Sequence, residues 1–430
     1  MSLISSYRMC LAGNYSPNPL CKKQRKGTAG AVTFRVTKGP VPSTSPTPPA
    51  PCLDPAVSPP HLQPGERVPL LTPPTPCPAK KNVMFLKTHK TASSTVLNIM
   101  FRFAERYNLT VALPAGQLFH LGYPRNFMAH FVEDFEAIGQ NYNIMCNHLR
   151  FNPSEVMAPN TFYFSILRNP IPLMESSYIY FKNNVPAFRN SKDVNEFLAS
   201  PTRYYHPADY RQNIQARNMM WFDFGYDNNA EDDTKYTQAI LEEIEQNFHL
   251  ILIADYFDES MILLKHTLCW DLDDVIYFKL NSRSQDTVQT LTPESEERIK
   301  AWCSLDWKLY LHFNQSFWRR IEETIGLEVL EKEVDHLRTR QKELTETCLL
   351  EQEPVGKDHI RNKALQPYQS GAANILGYNL RQDLDNRTLR TCQRMVIPEL
   401  QYTMDLGLLG WQHCLRATLK LWGSSSSWEV

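Results

Sequence analysis

Short apolar runs alternate with longer stretches of helical spacing between residues 82 and 280. Residues 82–86 form an apolar run that is too short for a helix, which predicts a buried strand. From Val96 to Tyr107 the apolar positions recur every three or four residues, which predicts an amphipathic helix. A polar stretch separates the two, so this segment predicts a strand, a loop and a helix in that order.

The same order of elements recurs further along the chain. Residues 161–167 predict a second strand followed by a helix to Tyr180, and residues 249–257 predict a third strand followed by a helix over 260–268. Residues 274–280 predict a fourth strand. Apolar strands separated by helices are typical of a parallel sheet flanked by helices, an α/β fold. Ligands of such folds bind at the carboxyl ends of the strands, where the polar loops lie.

The two ends of the chain differ from this central part. Half of the thirty prolines fall between residues 40 and 78. Because proline favours extended chain without ladder hydrogen bonds, residues 1–80 are predicted to be a disordered, Pro-rich tail or stem. Residues 81–325 are predicted to form the core, and residues 326–430 a helical C-terminal extension packed on it.

Within the extension, apolar residues from Leu327 to Leu344 step by three and four positions. This stripe allows a coiled-coil homodimer. Because Gln341 interrupts the stripe, the pattern favours an amphipathic helix that packs on its own domain.

Composition restricts the partners. The net charge is −1 and the pI is about 6.9, so no overall field attracts nucleic acid or an acidic membrane. A polyanionic ligand must therefore be held by local basic groups. The sequence contains no uninterrupted apolar run of about 18 residues, so it predicts no transmembrane helix.

The ten cysteines include no C-x-x-C pair, which disfavours a structural zinc site. Their scattered positions fit long-range disulfides and buried thiols equally well. Four N-x-S/T sequons begin at Asn14, Asn108, Asn314 and Asn386, which suits a protein of the secretory pathway.

The loop between the first strand and its helix carries the most chemistry. Helix N-termini present free N–H groups and a partial positive charge, which suit an anion. Around this helix start the sequence adds cations and hydroxyls: Lys87, Lys90, Thr91, Ser93, Ser94 and Thr95. The loop has none of the glycines of a Walker A motif. It predicts a phosphate site, and the alternative is an ordinary helix cap with surface lysines.

Here the sequence resembles a known family. The loop resembles the 5′-phosphosulfate loop of Golgi carbohydrate sulfotransferases, and SILRNPIPLMESSYIYF resembles their 3′-phosphate site. The segments FLKTHKTASSTVLNI, CNHLRF, ADYFDES, YFKLNSR and ILGYNL together resemble the galactose-3-O-sulfotransferases, over roughly residues 80 to 405. The resemblance is nearer to the glycoprotein-type enzymes than to the galactosylceramide enzyme. It implies a P-loop-like parallel sheet and sulfuryl transfer from 3′-phosphoadenylyl sulfate (PAPS) to the 3-hydroxyl of a terminal β-galactose.

The resemblance also implies residue roles. Lys90 would stabilise the leaving 3′,5′-bisphosphate (PAP), while Arg168 and Ser176 would bind the 3′-phosphate. An arginine fork suits phosphate oxygens. The hydroxyls of Thr91, Ser93, Ser94 and Thr95 would bind the 5′-phosphosulfate, and Lys87 would be a second cation. No metal-ligand cluster stands out, so no metal is predicted.

Two histidines are candidates for the base. His148 matches the acceptor-side base of related sulfotransferases and ranks first, because a histidine near its usual pKa can accept a hydroxyl proton at neutral pH. His89, within the donor loop, ranks second. Either could instead be a structural histidine.

Two other functions stay open. A P-loop-type kinase shares the strand, loop and Lys-Thr pair, but would need glycines and a Mg²⁺-binding aspartate. A non-catalytic glycan- or nucleotide-binding protein could use the same scaffold. The family relationship implies a β-galactoside glycan as partner and a type II Golgi membrane protein, although no anchor is evident in the sequence.

Overall fold

A computed structural model describes residues 77–116, 119–138, 141–152 and 156–407. All but the last four residues of the predicted tail over 1–80 lie outside this range, and so do residues 408–430 of the predicted helical extension. The division at residue 325 into a core and an extension stays a prediction.

The centre of the described structure is a four-stranded parallel sheet with the order β2-β1-β3-β4. Its strands are β1 Val83–Leu86, β2 Ile144–Asn147, β3 Phe162–Leu167 and β4 Leu250–Ile253. Phe85 of β1 lies opposite Cys146 of β2 on one side and Phe164 of β3 on the other. Because all four strands run in one direction, their carboxyl ends meet at one edge of the sheet, as the sequence predicts.

Helices flank the sheet and bury it. The α-helices are α1 Ser93–Tyr107, α2 Phe135–Ile138, α3 Pro170–Phe181, α4 Pro186–Arg189, α5 Val194–Ala199, α6 Pro201–Tyr204, α7 Tyr210–Asn213, α8 Met219–Asp223, α9 Thr234–Asn247, α10 Phe257–Leu268, α11 Leu272–Val275, α12 Pro293–Trp302, α13 Ser304–Thr324, α14 Leu327–Cys348 and α15 Asn386–Val396. Residues 399–407 are helical as well. The predicted α/β fold, with three strand–loop–helix units, is confirmed.

One predicted strand is wrong. Residues 274–280 do not join the sheet, because Asp271 and Asp274 form a capping box that winds the start of this segment into α11. Residues 276–280 are extended but unpaired, and the backbone N–H of Leu280 donates to Thr95 Oγ1 at 3.1 Å. The end of the segment therefore lies against the first turn of α1. A strand that the pattern did not predict, β2, takes the edge position beside β1.

The third predicted strand is shorter than expected. β4 ends at Ile253, since Ser260 Oγ donates to the carbonyl of Ile253 at 2.8 Å and accepts from its N–H at 3.1 Å. The chain turns there and enters α10 at Phe257.

The long helix α14 packs against other helices of the chain. Leu330, Val334 and Leu337 are buried, and the helix contacts α10 and α15. Two disulfides, Cys77–Cys269 and Cys348–Cys392, and two buried free thiols, Cys146 and Cys303, are present in the described range, so both alternatives for the cysteines occur. The Cys348–Cys392 bridge joins the end of α14 to α15. None of the described helices is both long and apolar enough to cross a membrane.

Candidate active site

The loop between β1 and α1 is held in a defined shape by its own hydroxyl groups. Thr88 Oγ1 donates to the carbonyl of Ile166 in β3 at 2.5 Å, and Ser93 Oγ donates to the carbonyl of Thr88 at 2.6 Å. Lys90 and Ala92 have positive φ angles of 61° and 60°, which L-residues adopt rarely. Such strained backbone is typical of functional loops.

This loop forms one wall of a cavity of about 580 Å³, here called the basic cavity. The cavity extends from the start of α1 to Arg168 and Ser176, which follow β3, and to residues 279–283. Five cationic side chains line it, against two carboxylates: Lys87, Lys90, Arg168, Lys279 and Arg283, with Glu175 and Asp255. The excess of positive charge suits a polyanion.

Lys90 is a cation without a carboxylate partner among the described residues. Its Nζ lies 3.7 Å from the centre of the Tyr180 ring, a cation–π contact. Burial, together with the positive charges of Arg168, Arg283 and Lys87, lowers the pKa of Lys90 to about 7. A bound anion would relieve this repulsion.

Arg168 and Ser176 face the same cavity from the second strand–loop–helix unit. Arg168 Nη1 donates to the carbonyl of Lys90 at 3.0 Å, so the two predicted donor-binding loops are in direct contact. Ser176 is buried within α3. Next to it, Glu175 pairs with Arg283 and accepts the N–H of Gln289 at 2.8 Å, which fixes the segment after residue 280 against α3.

The hydroxyls of the loop have differing freedom to bind a ligand. Those of Thr91 and Ser93 bond to Thr88 and shape the loop. The hydroxyl of Thr95 accepts from Leu280 N–H and can still donate its own proton. Ser94 Oγ donates to Glu399 Oε2 at 2.8 Å. All four residues line the basic cavity.

A second cavity of about 430 Å³, here called the aromatic cavity, opens beside the first. Its walls come from residues 119–123, 367–377 and 396–401. Phe119 and Tyr368 are exposed to 58% and 60%, and Tyr123 and His120 also line the cavity. Large exposed aromatic side chains at a cavity are typical of binding sites.

The two cavities share a boundary formed by Lys87, His89, Ser94, His148, Tyr180, Leu280 and Asn281. His89 and His148 stack there, with ring centres 3.9 Å apart and planes inclined by 13°. The residues that the sequence singles out separately thus surround one connected space. They are Lys87, Lys90, His89, His148, Arg168 and the loop hydroxyls.

The two histidines have different partners. His148 Nδ1 contacts the Lys87 carbonyl at 2.9 Å and its Nε2 contacts Lys87 Nζ at 2.7 Å. Burial, with His89 and Lys87 nearby, holds the pKa of His148 well below its usual range. His89 Nδ1 instead lies 3.0 Å from both carboxylate oxygens of Asp223.

Sequence reasoning missed two carboxylates of this site. Asp223 is fully buried at the end of α8, and Glu399 Oε2 lies 3.1 Å from Lys87 Nζ. Neither stands in a local motif, since each reaches the loop from a distant part of the chain. For Glu399, the sequence offers only its position at the start of the helix over 399–407.

Other polar residues near the site form hydrogen bonds within the fold or line the basic cavity. Asp258 accepts from Tyr277 Oη at 2.6 Å and from Arg338 Nε at 2.8 Å. Tyr378 Oη donates to the carbonyl of Lys279 at 3.0 Å, and Asn379 Nδ2 donates to the carbonyl of His359 at 2.9 Å. Lys279, Asn281 and Arg283 line the basic cavity.

The amino-acid sequence is similar to that of known proteins. The family model described as galactose-3-O-sulfotransferase matches residues 45–409. Galactose-3-O-sulfotransferase 2 of Mus musculus is 55% identical over 331 residues, covering 76% of this chain and 84% of that protein. The Homo sapiens protein of the same name is 53% identical over 334 residues, covering 76% and 83%. Galactosylceramide sulfotransferase of Homo sapiens is 42% identical over 353 residues, covering 80% and 81%.

The order of these identities agrees with the predicted nearer relationship to the glycoprotein-type enzymes. The family match spans the sheet, both strand–loop–helix units of the basic cavity and the C-terminal segment that carries Glu399. This chain therefore belongs to the galactose-3-O-sulfotransferase family of enzymes.

Proposed function

We propose that this protein transfers a sulfuryl group from PAPS to the 3-hydroxyl of a terminal β-galactose on glycoprotein or glycolipid glycans. The observation that carries the proposal is the meeting of a cation-lined cavity with an aromatic cavity at two stacked histidines. The family relationship supplies the galactose and the position of sulfation.

The residues of the basic cavity fit the nucleotide donor. Lys90 lacks a carboxylate partner among the described residues and has a lowered pKa, so an anionic ligand would stabilise its charged form. Arg168 offers a guanidinium fork 3.0 Å from the backbone of the same loop, next to Ser176. We assign the 5′-phosphosulfate to the loop hydroxyls with Lys87 and Lys90, and the 3′-phosphate to Arg168 and Ser176.

The aromatic cavity fits a sugar acceptor. Aromatic faces offer apolar contact area while polar groups set the orientation of a ligand. Phe119, Tyr123 and Tyr368 supply the faces here, and Glu399 and Gln401 supply polar groups. The acceptor hydroxyl would enter the boundary beside the histidines.

In the reaction the acceptor oxygen forms a bond to sulfur while the bond from sulfur to the bridging phosphate oxygen breaks. The electron pair of that bond leaves with PAP, and Lys90 stabilises the charge that develops there. The proton of the hydroxyl passes to a histidine of the boundary, where general-base catalysis contributes about 10²–10⁴-fold.

We place this reaction in the Golgi lumen. The disulfides Cys77–Cys269 and Cys348–Cys392 support an oxidising compartment, because such bonds persist there and are rare in the cytosol. The family relationship supports the Golgi in particular.

The test incubates the full chain with labelled PAPS and a panel of β-galactosides that includes 3-deoxygalactosides, with PAP binding measured in parallel by calorimetry. We expect label on the 3-hydroxy acceptors and none on the 3-deoxy analogues. Equal labelling of the 3-deoxy acceptors would refute the regiochemistry. PAP binding without transfer to any acceptor would support a non-catalytic binding protein, and a requirement for Mg²⁺-ATP would support a kinase.

A further inference from the structure

Asp223 makes the closest polar contacts to His89. Its Oδ2 accepts the backbone N–H of His89 at 2.8 Å, and both of its carboxylate oxygens lie 3.0 Å from His89 Nδ1. Asp223 is fully buried, while His89 is 9% exposed and lines both cavities. Because a carboxylate only accepts, Nδ1 must carry the proton, which leaves the lone pair on Nε2.

A buried scaffold holds this carboxylate in place. Asp306 of α13 accepts the N–H groups of Met220 and Trp221 at 3.2 and 2.8 Å, which satisfies the first turn of α8. Asp223 ends the same helix. The position of the carboxylate is thus set by packed secondary structure rather than by a loop.

His148 lacks these advantages as a base. Its Nδ1–H faces a backbone carbonyl, and its Nε2 accepts from the Lys87 ammonium at 2.7 Å. Protonation of Nε2 would turn this hydrogen bond into repulsion between two cations. No described residue hydrogen-bonds to His89 Nε2. Of the two stacked rings, His89 is therefore the one able to accept a proton.

We propose that Asp223 is the positioning carboxylate of the reaction, and that His89, which it orients, takes the proton of the acceptor hydroxyl. This inference rests on the proposed function and reverses the order in which the sequence ranks the two histidines.

The groups at the boundary of the two cavities account for the proton that the acceptor hydroxyl loses. As the oxygen–sulfur bond forms, the hydroxyl proton moves to His89 Nε2, and the Nδ1–H remains hydrogen-bonded to Asp223. The buried carboxylate stabilises the imidazolium that results, in the way that an aspartate assists the histidine of a serine protease. His148 stays neutral and holds Lys87. The other titratable groups around His89 are Tyr123, whose ring centre lies 4.7 Å away, and His120.

The decisive variant is Asp223→Asn. Asparagine keeps the side-chain volume, and its oxygen can still accept the backbone N–H of His89. Its amide group, however, donates to Nδ1 and forces the proton onto Nε2, so the base is lost. We expect kcat to fall about 100-fold or more, while the Kd of PAP changes by less than about twofold. The residual rate should rise with pH as hydroxide replaces the base.

This pattern separates positioning from a structural role. His89 lies between Lys87 and Lys90, so a variant that merely distorts the loop would weaken PAP binding as well. A second variant, His89→Ala, keeps the test valid if Asp223→Asn does not fold. Added imidazole should restore at least about tenfold of its lost activity, because a free base can occupy the vacated space.

The matched comparison is His148→Gln, which keeps a group able to accept from Lys87. We expect a smaller loss of kcat than in Asp223→Asn, and no rescue by imidazole. Wild-type activity in Asp223→Asn, or imidazole rescue of a His148 variant but not of His89→Ala, would overturn the inference and leave the proposed function standing. Absence of transfer by the wild-type chain would instead refute the proposed function itself.

Discussion

The basic cavity and the aromatic cavity are neighbours that the chain builds in different ways. Three cations of the basic cavity, Lys87, Lys90 and Arg168, lie in loops that follow β1 and β3, so the sheet sets their positions. The other two, Lys279 and Arg283, come from the segment after α11. The aromatic cavity comes from segments around residues 120, 370 and 400, which belong to irregular connections and to the C-terminal part. The proposed donor site therefore depends mainly on the repeated strand–loop–helix unit, whereas the proposed acceptor site depends mainly on other segments, and Glu399 joins the two through Lys87 and Ser94.

The comparison predicts that, among substitutions in the basic and aromatic cavities, Lys90→Met lowers activity the most. We expect kcat to fall about 10²–10³-fold, because a preorganised charge near the developing oxyanion is removed. Steady-state kinetics with PAPS and a β-galactoside measure this. The matched control is Lys279→Met, which removes an exposed cation from the same cavity and should cost less than about fivefold. Equal losses in both variants would mean that the cavity acts through its total charge alone.

The difference between the two cavities also explains which parts of the site the sequence predicts. The loop around Lys90 and the turn at Arg168 are local patterns at strand ends, and parallel strands bring such ends together whatever their order in the sheet. For this reason the sequence could indicate that the loop around Lys90 and the turn at Arg168 lie close together, while the roles of their residues stay predictions.

The rest depended on contacts between distant segments. Residues 274–280 have the apolar composition of a strand, but the acidic pair Asp271 and Asp274 caps a helical turn, and the sheet edge is taken by β2. Asp223 and Glu399 reach the loop across 134 and more residues of sequence, without a motif. Their roles arise only once α8 and the residues after α15 are packed.

Arg168→Ala should affect donor binding rather than chemistry. The guanidinium is expected to bind the 3′-phosphate, and hydrogen bonds to charged groups contribute roughly 1.5–3 kcal/mol, so the Kd of PAP should rise about 10–150-fold. Calorimetry with PAP measures this without acceptor. Arg189→Ala, at an exposed site outside both cavities, is the control and should bind normally. A large fall in kcat at saturating PAPS with unchanged Kd would contradict the assignment.

Donor binding should also weaken as the pH rises. In the free protein burial and nearby cations lower the pKa of Lys90 to about 7, and a bound polyanion favours its charged form, so binding takes up a proton. The affinity for PAP should then decrease about tenfold from pH 6 to pH 8. Because PAP itself titrates in this range, the contribution of Lys90 is the difference from Lys90→Met. A profile that is identical in the two proteins would exclude Lys90 as the titrating group.

Tyr368→Ala should produce the smallest effect, and one confined to the aromatic cavity. Tyr368 is 60% exposed and lies at the cavity wall, so its ring can contact a sugar face without supporting the fold. Loss of one aromatic contact of about 1 kcal/mol predicts a roughly fivefold rise in the KM of the galactoside. Since the contact forms equally with substrate and transition state, kcat should not change.

The matched variant Tyr368→Phe keeps the ring and should retain the KM of the wild type. The affinity for PAP should be the same in all three proteins, because the side chain does not line the basic cavity. If Tyr368→Ala instead weakened PAP binding as much as galactoside binding, the basic cavity and the aromatic cavity would act as one site. The proposed division between a donor site in the basic cavity and an acceptor site in the aromatic cavity would then be refuted.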